Sequence, residues 1–210
     1  MSLRNRVDPW GRLNEHASKA GTVMGNRGIL HDAEQRVVKR WTTTAWVACD
    51  PKFRGRSRKP LFSPNRYSEL FFLDEATALS AGHRPCAYCQ RGKFDAFKAA
   101  WAKCAEPSLD SATLRIKEVD AELHRQRVSR GVQKITFQAQ VGSLPDGTMI
   151  GVDGDAFLLH RGRRWRWSCQ GYEPADPLPP ATLVRVLTPN GIVRVYSAGY
   201  KPDVHASADA

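Results

Sequence analysis

The chain has 210 residues, enough to bury a core as one domain or two small ones, and its 41% hydrophobic and 25% charged residues are those of an ordinary globular protein. A formal net charge of +11 points to a polyanionic partner, and the lack of any apolar run of bilayer length excludes a membrane-spanning helix. Five cysteines behind a Met-Ser-Leu-Arg-Asn-Arg start, which lacks the apolar stretch of a secretion signal, predict reduced thiols in the cytoplasm rather than a disulfide framework.

In chain order, Thr22 to Asp32 predicts a short strand, a Gly-Asn-Arg-Gly turn and a second strand, with Asn26 and Arg27 displayed outward beside His31 and Asp32. Thr42 to Cys49 predicts a strand, and a loop punctuated by Gly55, Pro60 and Pro64 follows. Leu70–Leu73 is a buried strand by composition. Asp74 is placed to cap a helix from Glu75 to Ala81 that Gly82 ends. Phe94, Phe97, Ala100, Trp101 and Cys104 recur at helical spacing over 92–104, and a charged helix is expected over 110–129. The last third changes period. Ile135, Phe137, Ala139 and Val141 alternate with polar residues, and Pro145-Asp-Gly147 and Val152-Asp-Gly-Asp155 read as turns. Strands at 157–160, 163–168 and 183–187 complete an antiparallel sheet, with Trp165 and Trp167 on one face and Arg164 and Arg166 on the other. Thr188 as N-cap and Pro189 in the first turn open a final helix. Ser197-Ala-Gly-Tyr-Lys-Pro202 echoes Ser80-Ala-Gly-His-Arg-Pro85, which a shared way of ending a helix explains.

Two features carry chemistry. Cys86 and Cys89 stand at metal-ligand spacing directly after a helix stop, with a third thiol, Cys49, upstream. Lys52, Arg54, Arg56, Arg58 and Lys59 fall within eight residues, followed by Arg66, Arg84 and Arg91, with no acid between Asp50 and Glu69. Interleaved with Phe53, Phe62 and Tyr67, and joined by Arg27, these cations suit the backbone of DNA with aromatics at hand to stack. Among the sparse acids, Glu69 next to an apolar strand is the candidate to activate water in base excision, with His83 as acid or base and Asn26 in the neighbouring turn.

The stretch Thr43-Thr44…Cys49, Leu70-Phe-Phe72, Asp74-Glu-Ala-Thr-Ala-Leu-Ser-Ala-Gly82 and His83-Arg-Pro-Cys86-Ala-Tyr-Cys89 resembles the metal-binding domain of the Ada DNA-repair protein. A bacterial family sharing Met24-Gly-Asn-Arg-Gly28 and Glu69-Leu-Phe-Phe-Leu-Asp-Glu75 is similar as well. The Ada resemblance covers about a quarter of the chain and implies a structural zinc held by Cys49, Cys86 and Cys89. The second upstream cysteine of that pattern falls near Lys52 and Phe53, so the fourth ligand is open between His83 and Asp50.

The fold class expected is α+β, divided into an Ada-like metal- and DNA-binding region at 1–105, a helical connector at 106–132, an antiparallel β region at 133–203 and a disordered tail at 204–210. The function expected is a DNA-binding enzyme, glycosylase-like, acting on damaged or modified bases in repair or in defence against modified phage DNA. The alternative from a different class is a non-enzymatic zinc module that binds DNA. A metal-dependent nuclease is weaker, because Asn26 with His31 is a poor substitute for a His-Asn-His motif.

Overall fold

The computed structural model describes residues 3–55, 59–105, 108, 110–129 and 134–209. Helices and two six-stranded sheets share the chain, an α+β arrangement. The first sheet is mixed, in the order β2 (Leu13–Asn14), β1 (Arg6–Val7), β5 (Leu70–Phe72), β3 (Val23–Asn26), β4 (Val47–Cys49), β6 (Arg84–Pro85). The second is wholly antiparallel, in the order β11 (Tyr172–Ala175), β10 (Arg163–Trp167), β9 (Asp155–His160), β8 (Met149–Val152), β12 (Leu183–Val186), β7 (Phe137–Gln140). Its β8–β9 hairpin closes on Asp153 and Gly154, both at positive φ, as the Asp-Gly pair predicts. Trp165 is buried on one face of β10 while Arg166 is exposed on the other and pairs with Asp155 at 2.8 Å.

Among the described residues, four α-helices complete the fold: α1 (Glu75–Ser80), α2 (Arg91–Ala105), α3 (Ile116–Arg127) and α4 (Asn190–Ser197). Helix α1 joins the two sheets. Leu73 and Ala76 pack in one core with Met149, Leu158, Trp165 and Tyr172 of the second sheet, while Ala78 packs with Leu70 and Phe72 of the first. Burying such side chains contributes about 1.5–3 kcal/mol each, so the junction is a core and not a hinge. Asp74 caps α1 by accepting from the Thr77 N–H at 2.8 Å. The same carboxylate also accepts from the Tyr172 hydroxyl at 2.8 Å and the His205 N–H at 3.0 Å, and its burial raises its pKa.

The echoed helix endings share one geometry. His83 N–H reaches Ala78 C=O at 3.0 Å and Tyr200 N–H reaches Val195 C=O at 3.2 Å, with Gly82 and Gly199 at positive φ. At Gly82 a second reason for glycine applies, because a Cβ would lie 2.5 Å from Cδ of Arg127.

Several expectations from sequence are corrected. Only the first half of the Thr22–Asp32 segment is a strand, since Leu30 and His31 turn inward and leave a single bridge between His31 and Val37. Strand β4 is confined to the last three residues of Thr42–Cys49. Thr188 does not cap α4. Its hydroxyl accepts from Met149 N–H, and the Gln126 side chain accepts from Gly191 N–H. Residues 204–209 of the tail expected to be disordered instead return to the start of α1, where His205 N–H donates to Asp74 at 3.0 Å, and residue 210 lies outside the described residues. Ala206–Ala208 forms a short 3-10 helix with Ala208 buried, and Glu75 accepts from the Tyr200 hydroxyl at 2.6 Å and Asp203 N–H at 2.9 Å. Composition concealed this, because the anchoring groups are mainly backbone atoms received by Asp74 and Glu75. No helix of the described residues is long and apolar enough to cross a membrane.

Candidate metal centre

The parallel pairing of β4 with β6 sets the centre. Register places Ala48 beside Pro85, so the chain leaves β4 at Cys49 as it leaves β6 toward Cys86. Cys86 N–H donates to Ala48 C=O at 2.8 Å, and the Gln90 side chain donates to the same carbonyl at 3.1 Å. The turn after Cys86 closes with Gln90 N–H on Cys86 C=O, immediately before α2. The sulfurs of Cys49, Cys86 and Cys89 all lie within 4.8 Å of one another. A tetrahedral ion with metal–sulfur bonds near 2.3 Å needs sulfurs about 3.8 Å apart, so the three thiols can hold a metal ion.

The thiols are electrostatically unequal. Cys86 is pushed down to about 5, chiefly because the Cys49 thiol donates to its sulfur, helped by backbone N–H groups of Cys89 and Tyr88. Cys49 is pushed up by holding that hydrogen bond and by burial. Cys89 is raised by burial, although Asp50 N–H donates to its sulfur at 3.4 Å. Three sulfurs sharing backbone donors and one ready thiolate are a donor set suited to a thiophilic cation such as zinc. Cys49 and Cys89 line a cleft of about 550 Å³ together with Thr22, Asp50, Gln90, Arg91, Lys93 and Asp203. Lys93 bridges Glu75, at 2.9 Å, and Asp203 at its rim.

The other expected site residues fall into separate surroundings. His83 is fully buried and is not part of the thiol group. Its Nε2 accepts from Arg27 Nε at 3.4 Å, and its ring packs against Phe72 and Trp46. Burial, reinforced by Arg27 and Arg127, holds its pKa well below the usual imidazole value, so it stays neutral. Glu69 is buried as well, with its carboxylate accepting from Phe62 N–H at 2.9 Å. Asn26 ends β3 and accepts from Gly28 N–H at 3.4 Å, which stabilises the turn. These three each serve the fold through a different partner.

The expected cations divide into two sets. Arg27 and Arg84 are buried, which corrects their expected place on a DNA surface. Arg27 lies over the Trp46 ring at 4.1 Å and donates to Gly11 C=O. Arg84 forms a two-pronged ion pair with Asp120 of α3 at 2.7 and 2.8 Å. Lys52, Arg54, Lys59, Arg66 and Arg91 are exposed, while Arg56 and Arg58 lie outside the described residues. Arg54 reaches the Tyr88 hydroxyl at 3.4 Å, and Phe53 meets the Tyr88 ring edge-on at 5.3 Å, so the basic loop lies against the cysteine knuckle. Arg91 pairs with Asp95 one helical turn away.

Sequence reasoning missed a buried basic cluster. Arg27 and Arg127 both lie over Trp46, and Lys134 donates to Ser80 C=O at 2.6 Å. No local pattern marks Arg127 or Lys134, because Arg127 is buried, and Lys134 half-buried, by elements distant in the chain. Burial, with Arg27 and Arg127 adding repulsion against a smaller pull from Asp8, lowers the Lys134 ammonium to about 7. An unfolded lysine keeps its proton to about 10.4, so the unfolded state binds more protons between these values and stability rises with pH across that window. Urea unfolding at pH 7 and pH 9 is expected to show this rise, at most about 1.4 kcal/mol per pH unit, and Lys134→Met to flatten it. An unchanged slope in the variant would remove Lys134 as the cause.

Comparison of the chain with protein-family models, curated proteins and solved structures gives no match.

Proposed function

We propose that this chain is a zinc-dependent DNA-binding protein in which the cysteine centre and the basic loop form one contact surface. One observation carries this reading: the three-thiol cluster, with Arg54 and Phe53 of the loop resting on Tyr88 between Cys86 and Cys89. A bound ion would tie β4, β6 and the start of α2 together, and so hold the loop that follows Cys49 in place. Lys52, Arg54, Lys59 and Arg66 then offer charge to phosphates, and the half-exposed Tyr88 offers a stacking face. The likeness to the Ada metal-binding domain supports the same assignment of Cys49, Cys86 and Cys89.

Base excision is the less favoured reading. Its expected residues Glu69 and His83 are buried in hydrogen bonds to Phe62 and Arg27, away from a surface that a flipped base could reach. Incubation of the zinc-loaded protein with plain and base-modified duplexes, followed by alkali, separates the two readings. Bound but uncut DNA is expected, whereas alkali-labile breaks on one substrate would restore the enzyme.

The interface itself is tested by salt. Lys52→Ala combined with Arg54→Ala is expected to weaken duplex binding evenly across sequences and to lower the slope of log K against log salt by about 2. An unchanged slope would move the contact elsewhere. Repeating the titration after zinc removal by a chelator is expected to weaken binding, because the loop loses its anchor.

A further inference from the structure

We propose that the cysteine centre is an open one, completed by a small exogenous thiol that enters through the adjoining cleft, and not a closed site of four protein ligands. The inference rests on the zinc reading above and concerns what fills the remaining coordination position.

Three observations lead to it. First, among the described residues no fourth histidine, cysteine, aspartate or glutamate joins the group formed by Cys49, Cys86 and Cys89. Second, the side chains expected to close the site already have other partners, His83 through its Nε2 and Asp50 through one carboxylate oxygen. His83 is fully buried with its Nε2 on Arg27, and the Asp50 carboxylate accepts from Lys52 N–H at 2.8 Å, forming the turn that starts the basic loop. Third, Cys49 and Cys89 both line the cleft of about 550 Å³, so two of the three cysteines border space large enough for a small molecule. Zinc sites closed by four protein ligands are structural, whereas sites with three protein ligands keep a position for a molecule from solution.

The chemistry of the donors selects the class of that molecule. A sulfur-rich environment favours a further soft donor over a hard oxygen ligand. The thiol binds as thiolate, and its proton passes to solvent. Three thiolates on a divalent ion carry one net negative charge, and a fourth adds another. Arg91 and Lys93 line the same cleft, so the thiolate enters beside cations that are already shared with acids. Both cations have acidic partners, Asp95 for Arg91 and Glu75 with Asp203 for Lys93, which keep them on the wall without filling the space over the sulfurs.

Cobalt(II) makes the position visible, since it adopts tetrahedral thiolate coordination and absorbs according to its ligands. The full chain loaded with one cobalt is titrated with 2-mercaptoethanol, with ethanol as a control for solvent effects. The expected result is a saturable rise of about a third in the sulfur-to-cobalt charge-transfer absorbance, the step from three sulfur ligands to four, with cobalt retained after desalting. A stoichiometric cobalt protein whose spectrum is unchanged by thiol would show a centre already closed by a protein donor. That outcome overturns the inference and leaves the zinc reading intact. Loss of cobalt to the added thiol counts against the inference in the same way. Failure of the chain to bind either cobalt or zinc removes the zinc reading itself, and the inference falls with it. Asp50→Asn supplies an independent check on a side chain that is not buried in the core. Its cobalt spectrum is expected to match that of the unsubstituted protein, and a shift would place Asp50 in the coordination shell.

Discussion

Asp120→Ala is expected to destabilise the protein by about 3–5 kcal/mol, the range for removing one partner of a buried ion pair. Asp120 holds both arms of Arg84 at 2.7 and 2.8 Å, and both side chains are almost wholly shielded from water. Removing the carboxylate leaves a guanidinium with the Pro85 carbonyl as hydrogen-bond acceptor and the Phe94 ring at 5.5 Å, close to the chain segment that carries Cys86. Because a pair replaced by apolar groups of similar volume is often neutral, Asp120→Leu with Arg84→Met is expected to recover most of the loss. Urea unfolding of the single and double variants measures both. The same pair separates a structural Arg84 from a DNA contact. In the double variant the salt dependence of duplex binding should be unchanged, and a reduced slope would return Arg84 to the interface.

Cys86→Ser is expected to lower zinc affinity by at least about 100-fold, since loss of an orienting partner alone costs about 10–100-fold in other sites. Cys86 is the most acidic of the three thiols and receives the Cys49 hydrogen bond. It would supply the thiolate with which metal capture starts, and the other two would lose their protons on binding. Competition with a chromogenic chelator reads the affinity, and the expected stoichiometry falls from one zinc per chain to a fraction. Cys104→Ser is the control. Cys104 lies on α2 with its sulfur donating to Arg194 C=O, remote from the centre, and its replacement should leave zinc binding untouched. Equal affinity in Cys86→Ser would remove Cys86 from the metal centre. Because the two sheets share a core through α1, metal loss is expected to loosen the β4–β6 edge without unfolding the second sheet.

Local signals were legible where the physics is local. The Asp74 cap, the glycine endings after Ala81 and Ala198, the Asp153-Gly154 turn and the alternation of Trp165 with Arg166 depend on a few consecutive residues, and all four stand in the structure. The cysteine spacing was legible for the same reason, because a short turn after Cys86 suffices to bring Cys89 back toward it. Its third member, Cys49, needed the parallel pairing of β4 and β6, which the sequence hints at only through resemblance.

The cations show where such reading stops. Arg27, Arg54, Arg84 and Arg91 are indistinguishable as residue types, and all were expected to face DNA. Their fates depend on neighbours far along the chain: Trp46 and Gly11 for Arg27, and Asp120, 36 residues away, for Arg84. The surroundings of Glu69 and His83 are set in the same way, by Phe62 and Arg27. By itself the sequence determined the mixed α+β class, the helix ends and turns, the thiol spacing and the strong positive charge. Only the tertiary structure decided which charges are buried and that the C-terminal segment is anchored. It also placed Cys49 and Cys89 on a cleft, because burial and ion pairing are set by contacts between segments that no local pattern specifies.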